Sequence, residues 1–309
     1  MQKDTPRSHL LLYLKGIAMG AADVVPGVSG GTIAFIAGIY ERLLGALRSF
    51  GPQLWPLYRQ FGLPGVWRHI DGSFLLVLFG GILTSILTLA NVISHLLETY
   101  PEIVWAFFFG LILGSVWFIG IQIRQRTALA WVAFILGALI AYVITELSPR
   151  EMEVTTYTLF FSGMIAISAM ILPGISGSFI LLVMGMYAPI LAAVKSLHIS
   201  ILFVFCCGCL VGLLSISHLL SWMLRRFHDV TMALLTGFML GALNKVWPWK
   251  QTLEYRLNSA GEEVPFLQTN VFPSVYEAVT GQSSHLTGAI LCGAIGIILI
   301  VVLEKVRAK

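Results

Sequence analysis

The chain alternates long apolar stretches with short polar ones, and the apolar stretches predict its elements. A helix needs about 20 apolar residues to cross the hydrocarbon core of a bilayer. Six stretches of about that length predict membrane-spanning helices: 74–97, 103–121, 127–147, 199–224, 229–247 and 285–303. The polar connections are short, so we expect no separate soluble domain.

Two further apolar segments, 10–48 and 158–194, are too long for a single crossing. Each is interrupted in its middle by a Pro-Gly-x-Ser-Gly block, PGVSGG at 26–31 and PGISGS at 173–178. Proline lacks an amide hydrogen and glycine tolerates non-helical backbone, so each segment is predicted to be two half-helices joined by a non-helical tip. We call the segments the first and second hairpins and the two blocks the first and second tips. The predicted hinge residues are Pro26, Gly27, Pro173 and Gly174.

The two hairpins are copies of one pattern. Residues 16–47 superimpose on 163–194 without a gap, and residues 106–114 match 233–241. The identical pairs include Gly16 with Gly163, Pro26 with Pro173, Ser29 with Ser176, and Tyr40 with Tyr187. Repeats of this size in membrane transporters are often inverted in the membrane. We therefore divide the chain into repeats 1–157 and 158–309.

Basic residues predict the topology, because cytoplasmic loops carry an excess of lysine and arginine. If each hairpin returns to its own side, 14 of the 19 basic residues lie on one side. A single crossing by the first hairpin would move Arg42, Arg48, Arg59 and Arg68 to the other side and remove this bias. The charge count does not measure how deep the hairpins reach.

The hairpin arrangement gives each repeat three full crossings, and an odd number inverts the second repeat. We expect both termini to be cytoplasmic and 248–284 to be an external loop. The predicted fold is an all-α integral membrane protein of two inverted repeats, each a re-entrant or deep helical hairpin plus three transmembrane helices.

Composition agrees with a membrane protein and excludes several other classes. The chain is 57% hydrophobic and 11% charged, whereas soluble domains carry about 25% charged residues. The net charge of +4 comes with no basic, aromatic-rich stripe, so no nucleic-acid partner is expected. The four cysteines lie in apolar segments and no histidines have metal-ligand spacing, so we predict no metal and no cofactor.

The two tips are candidate anion sites. A helix N-terminus presents free amides and a partial positive charge, glycine allows a ligand to approach the backbone, and hydroxyls add donors. The candidate phosphate-binding residues are Ser29, Gly30, Gly31, Thr32, Ser176, Gly177 and Ser178. The alternative is that these glycines only permit close helix packing. Two related tips on opposed hairpins favour the binding site.

Five charged residues lie in the first hairpin, four of them before its last residue Arg48, and ionisable groups inside a membrane are usually functional. Asp23 and Glu41 are candidate coupling residues for protons or sodium ions. Both align with uncharged residues in the second hairpin. Lys15 and Arg42 are candidate phosphate ligands. The alternatives are an interfacial pair of Glu41 with Arg42, and a Lys15 side chain that extends to the membrane surface.

The stretch KGIAMGAADVVPGVSGGTIAFIAGIYERLL and the block LPGISGSFILLVMGMY resemble the two signatures of a bacterial membrane family. That family, long a domain of unknown function, is described as polyprenyl-phosphate transporters of the PopT type. The resemblance covers nearly the whole chain. It implies movement of undecaprenyl phosphate from the outer to the inner leaflet of the bacterial inner membrane, which recycles the carrier for peptidoglycan and other envelope polymers.

Two other functions remain open. Undecaprenyl-diphosphate phosphatases also resemble this plan, but their block continues with arginine where this chain has Gly30 and Gly177, and their paired glutamates are missing. A transporter of a small anion is the other alternative, because the tips would bind any small anion. The expected partners are the polyprenyl phosphate, the bilayer, and protons or sodium ions. The oligomeric state is left open.

Overall fold

The computed structural model describes residues 6–25, 27–148, 152–257 and 263–307, which are mostly helical. The first half of the chain contains α1 (Pro6–Val24), α2 (Gly30–Ile36), α3 (Tyr40–Arg48), α4 (Leu54–His69), α5 (Gly72–Thr99), α6 (Pro101–Gln122) and α7 (Ala128–Glu146). The second half contains α8 (Thr156–Ile171), α9 (Gly177–Val183), α10 (Tyr187–Lys195), α11 (Ile199–Arg226), α12 (His228–Ala242), β1 (Lys250–Leu257), β2 (Glu263–Asn270), α13 (Pro273–Thr280) and α14 (Leu286–Arg307).

Within the described residues, four helices are long and apolar enough to cross a bilayer: α5, α6, α7 and α11. They overlap the predicted spans 74–97, 103–121, 127–147 and 199–224. The span predicted at 229–247 corresponds to α12, which has 15 residues and is about 22 Å long at 1.5 Å per residue. The span predicted at 285–303 corresponds to a shorter apolar helix, Leu286–Val302. The chain is therefore a mostly helical, multi-pass membrane protein.

Each hairpin contains three helices rather than the two half-helices that were predicted. The first comprises α1, α2 and α3, and the second comprises α8, α9 and α10. The additional break lies at Gly38 and Gly185, whose φ angles of +68° and +67° belong to the left-handed region that glycine adopts readily. At the break of the second hairpin, at Gly185, the axes of α9 and α10 differ in direction by 110°.

The predicted hinges lie where the backbone leaves the helix. Gly27 and Gly174 have nearly equal φ angles of +86° and +88°, so the two tips share one backbone turn. Pro173 is buried in the second turn. Pro26 lies outside the described residues.

The two halves are built alike but interleave. In each half the first helix of the hairpin packs on the 28-residue helix, α1 on α5 and α8 on α11. The remaining long pairs join the halves, because α7 packs on α12 and α14 packs on α6. Glycine permits the close approach: a Cβ on Gly110 would lie 2.0 Å from the carbonyl oxygen of Gly293. The predicted repeats therefore hold each other by exchanging their third helices.

The corresponding helices α3 and α10 differ in burial. Five residues of α3 are buried, including Tyr40, Leu44 and Leu47, and the helix packs on α11 of the other half. Only Ile190 and Ala193 are buried in α10. The side of the molecule that carries α3 is thus the more closely packed.

Two features lie outside the predicted helices. Helix α4 has no buried residue, and its Trp55 and Phe61 side chains are 62% and 64% exposed. The predicted loop 248–284 contains the antiparallel pair β1–β2 and helix α13, so the all-α prediction is wrong for this segment. Trp249 and Tyr276 form a small separate core there with the N-terminal parts of α6 and α14.

Candidate functional site

The two tips contact each other directly. The Ser29 hydroxyl donates a hydrogen bond to the carbonyl oxygen of Met170 at 2.7 Å. The amide of Gly174 donates to the hydroxyl of Thr32 at 2.9 Å. A Cβ on Gly31 would lie 2.7 Å from the carbonyl oxygens of both Met170 and Ile171, so only glycine allows this approach. The structure therefore brings the first tip against the end of α8 and the second tip.

The candidate donors of the first tip are all engaged within the protein. Ser29 caps α2 and accepts a hydrogen bond from the Gly31 amide at 3.1 Å. The Gly30 amide donates to the Asp23 carboxylate at 2.6 Å. The hydroxyl of Thr32, which is fully buried, accepts from the second tip. Asp23 consequently holds a negative charge at the place where a bound anion would meet the start of α2.

The second tip has donors that remain available. The Ser176 and Ser178 hydroxyls lie 2.9 Å apart, and the Phe179 amide makes a long 3.5 Å contact to Ser176. Asp23 aligns with Met170 here, so no carboxylate meets the start of α9. Among the described residues, the amides of Gly177 and Ser178 have no acceptor. The two tips thus differ: a carboxylate accepts the amide at the start of α2, and the side chain of Met170 lies beside Gly177 at the start of α9.

A small cavity lies between the tips, near the C-terminal ends of α7 and α12. Its volume is about 10 Å³, which is the size of one water molecule. The residues around it include Gly27, Gly174, Ser176, Phe179 and Lys245. Both tips, the hydroxyl-bearing residues Ser176 and Thr145, and Lys245 therefore line the same space.

Lys245 is a residue of this site that sequence analysis missed. Its ammonium nitrogen lies 4.3 Å from the centroid of the Phe179 ring, and a Cβ on Gly27 would lie 2.7 Å from its Cγ. The sequence analysis had counted Lys245 only as an external charge. A lysine within the predicted span 229–247 was the signal available, because charged residues in a span are usually functional.

The neighbours of Lys245 are bonded to one another. The Asn244 side-chain amide donates to Glu146 at 2.6 Å and to the Thr145 hydroxyl at 2.9 Å. The Lys250 ammonium donates to the carbonyl oxygen of Lys245 at 2.6 Å and lies 3.8 Å from the centroid of the Trp105 ring. Burial, together with the charge of Lys245, lowers the pKa of Lys250 well below its usual range.

Lys15 is held inside the first hairpin. Its ammonium donates to the carbonyl oxygen of Ala37 at 2.7 Å. Ala37 caps the C-terminal end of α2, so this bond lies at the opposite end of α2 from the tip. The alternative in which the side chain extends to the membrane surface does not match this contact.

The structure places Glu41 and Arg42 in the first turn of α3, beyond Gly38, and their roles as coupling residue and phosphate ligand stay predictions. Arg42 makes two hydrogen bonds to Asp71, at 2.6 and 3.1 Å. The Glu41 side chain is 65% exposed and lies 3.4 Å from His228. The break at Gly38 separates the short α2 from α3, whose first turn carries both residues. Adjacent helical residues also point in different directions, so the two do not pair with each other.

In the part of the chain that the structure describes, no three His, Cys, Asp or Glu side chains are grouped so as to hold a metal ion. Cys206, Cys207, Cys209 and Cys292 are free thiols.

Comparison with known proteins adds independent information. Residues 19–264 match a family described as undecaprenyl phosphate translocase-like. The chain is 55% identical over 302 residues to a polyprenyl-phosphate transporter of Vibrio cholerae, covering 98% of each chain. It is 34% identical over 254 residues to a polyprenyl-phosphate transporter of Staphylococcus aureus, covering 76% of this chain and 85% of the relative. No solved structure matches the chain.

Proposed function

We propose, on the premise that this chain belongs to the undecaprenyl phosphate translocase-like family, that it translocates a polyprenyl phosphate across the membrane. Both curated relatives are named as transporters, and the chain is accordingly a transporter rather than an enzyme. The substrate is undecaprenyl phosphate, moved from the outer to the inner leaflet of the bacterial inner membrane. This movement returns the lipid carrier for synthesis of envelope polymers such as peptidoglycan.

The orientation follows from the charge distribution. Both termini lie on the cytoplasmic side, the loop 248–284 is external, and the two repeats are inverted. The equal backbone turns at Gly27 and Gly174 support a common origin of the two hairpins. The broken helices at the tips support re-entry, since non-helical backbone at membrane depth must face protein or water.

The contact between the tips is the observation that carries the proposal. Thr32 of the first half bonds to Gly174 of the second half, and Gly174 also lines the cavity. A headgroup that passes from one face to the other must break this contact and that of Ser29 with Met170. Transporters of inverted repeats work in this way, by movement of one repeat against the other around a central site. The isoprenyl tail stays in lipid throughout and passes through a lateral opening.

The two tips bind the phosphate in turn. Ser176, Gly177 and Ser178 bind it before the first tip does, because their donors are not engaged by the other half. Ser29, Gly30, Gly31 and Thr32 bind it after the tips separate. The more closely packed side of the molecule, which carries α3, then opens. Lys15 contacts the phosphate as the phosphate moves to the inner leaflet.

Asp23 couples this cycle to a cation. Its carboxylate accepts from the Gly30 amide at 2.6 Å and so competes with a phosphate for the start of α2. A proton or a sodium ion on Asp23 weakens that bond, because an ionised acceptor binds an amide more strongly than a neutral one. Glu41 lies outside this competition because its side chain is exposed.

The decisive experiment follows the leaflet distribution of undecaprenyl phosphate in sealed liposomes that contain purified protein. We expect rapid, protein-dependent movement that the double variant Ser176→Ala/Ser178→Ala slows. Ser196→Ala is the matched control, because this serine lies at the exposed end of α10 and bonds only to its own helix.

Two further measurements separate the alternatives. Release of phosphate from undecaprenyl diphosphate would indicate the phosphatase, and uptake of inorganic phosphate without lipid movement would indicate a small-anion transporter. No lipid movement, with or without an imposed ion gradient, contradicts the proposed function.

A further inference from the structure

Lys245 differs from the other described lysines near the tips in having no hydrogen-bond acceptor. The Lys15 ammonium donates to Ala37 and the Lys250 ammonium donates to the backbone of Lys245. Among the described residues, the Lys245 ammonium has only the face of the Phe179 ring at 4.3 Å. The nearby carboxylate of Glu146 is bound by Asn244 at 2.6 Å instead. A partly buried cation with no acceptor is available to an anion that enters from outside the protein.

The side chain of Lys245 lies between the two hairpins. The side chain of Lys245 adjoins the backbone of Gly27 in the first tip and the ring of Phe179 in the second hairpin. It lines the same cavity as Ser176. With a volume of about 10 Å³, that cavity holds a water molecule but not a phosphate group. The stem of Lys245 therefore closes the approach to the tips from the side of residues 243–249.

We propose that Lys245 is the outer gate and first phosphate ligand of the transporter, and that its ammonium exchanges the Phe179 ring for an oxygen of the prenyl phosphate headgroup. The proposal rests on the proposed function and adds to it the residue that admits the headgroup from the external side. The exchange opens the cavity, because the side chain must leave the backbone of Gly27 to reach the phosphate. Ser176 then lies within the opened space.

Lys250 holds the backbone of Lys245 in place. Its ammonium bonds the carbonyl oxygen of Lys245 at 2.6 Å and covers the ring of Trp105, so it is not free to follow a ligand. This bond fixes the backbone of the gate while the side chain of Lys245 moves.

Binding of farnesyl phosphate, a short soluble prenyl phosphate, to the full chain in nanodiscs tests the gate, with farnesol as the uncharged probe. We expect Lys245→Gln to weaken binding of farnesyl phosphate by about tenfold or more, as loss of a hydrogen bond to a charged group does. Lys245→Arg should bind nearly as well as the wild type, and farnesol binding should not change. Lys195→Gln is the matched control, since this exposed lysine ends α10 away from the cavity.

A second variant separates the gate from a structural role. Phe179→Leu removes the ring that competes for the ammonium, so farnesyl phosphate should bind at least as tightly as in the wild type. Equal binding of farnesyl phosphate by Lys245→Gln and the wild type overturns the gate and leaves the proposed function intact. An equal loss of farnesol binding in Lys245→Gln also overturns it, because the loss would then not depend on the phosphate. A wild-type protein that neither binds farnesyl phosphate nor moves the polyprenyl phosphate overturns both proposals.

Discussion

The hydroxyl of Thr32 accepts a hydrogen bond from the amide of Gly174 at 2.9 Å, across 142 positions of the chain. Thr32 lies in the first turn of α2, and Gly174 is the turn residue of the second tip. The corresponding residue of the second half is Phe179, which has no hydroxyl, so the bond is not repeated by the symmetry of the two halves. One unrepeated bond therefore joins the two tips at the centre of the molecule.

Thr32→Val tests the importance of this bond. Valine keeps the shape of threonine but leaves the buried Gly174 amide without an acceptor, which costs about 1–3 kcal/mol. The free energy of unfolding in detergent should fall by that amount. Thr236→Val is the control, because Thr236 is also fully buried but donates to a carbonyl of its own helix. Equal losses in the two variants would contradict a special role for the contact between the tips.

Asp23→Asn tests coupling. The variant keeps an oxygen for the Gly30 amide but removes the negative charge that competes with the phosphate. The movement of undecaprenyl phosphate between the leaflets of liposomes should lose most of its dependence on pH or on an ion gradient. Glu41→Gln, which changes an exposed acid of the same hairpin, should retain that dependence. If Asp23→Asn responded to the gradient as the wild type does, coupling through Asp23 would be excluded.

Gly110→Ala tests the exchange of helices between the halves. A Cβ on Gly110 would lie 2.0 Å from the carbonyl oxygen of Gly293, so α6 and α14 must separate. Overpacking of this kind costs about 1–3 kcal/mol, measured as the free energy of unfolding. Gly120→Ala on the same helix is the control, because no atom lies within 4 Å of its added Cβ. A Gly110→Ala protein as stable as Gly120→Ala would show that the helices do not pack this closely.

We predict that the segment 248–284 is sensitive to acid because of Glu277 in α13. The amide and the hydroxyl of Ser284 both donate to its carboxylate, at 3.0 and 2.6 Å, and lower the pKa of Glu277. The ionised form thus stabilises the fold at pH values above the pKa of the unfolded chain, and this stabilisation is lost as the pH falls through the lower pKa of the folded protein. The melting temperature of the wild type should therefore fall more steeply in acid than that of Glu277→Gln. Glu254→Gln, at an exposed position of β1 in the same loop, should follow the wild type.

Helix α4 predicts a contact with the membrane surface. Trp55, Tyr58 and Phe61 lie along one side of the first segment of α4, which precedes a non-helical break at Gly62, has no buried residue and also carries Arg59. Helices with an aromatic face and basic residues lie in the bilayer interface.

Spin labels measure this contact in protein whose native cysteines have been replaced. A label on Phe61→Cys should be more accessible to oxygen dissolved in lipid than to a water-soluble nickel reagent. A label on Gln60→Cys, which points to the other side of the helix, should show the opposite preference. Equal accessibility at the two positions would contradict an interfacial helix.

The placement of the candidate site was predictable only in part. The tips were recognisable because Pro-Gly-x-Ser-Gly interrupts an apolar run, and this local signal is independent of the rest of the fold. The surroundings of Glu41 and Arg42 were not predictable, because both residues lie on a separate helix beyond a second break at Gly38. Their neighbours His228 and Asp71 are distant in the chain. Lys245 was not predicted as a site residue, because its partner Phe179 lies 66 positions away in the chain. The sequence around Lys245 gives no indication of that partner.

The sequence by itself determined the membrane class, the two copied hairpins, the turns at Gly27 and Gly174, and the family. These properties depend on the length of apolar runs and on the backbone freedom of single residues, which are local. Only the tertiary structure decided that Thr32 meets Gly174, that α7 and α14 exchange places between the halves, and that β1 pairs with β2 outside the bundle. The physical reason is that each of these is a contact between distant segments, chosen by the shape and hydrogen-bonding groups of both partners together.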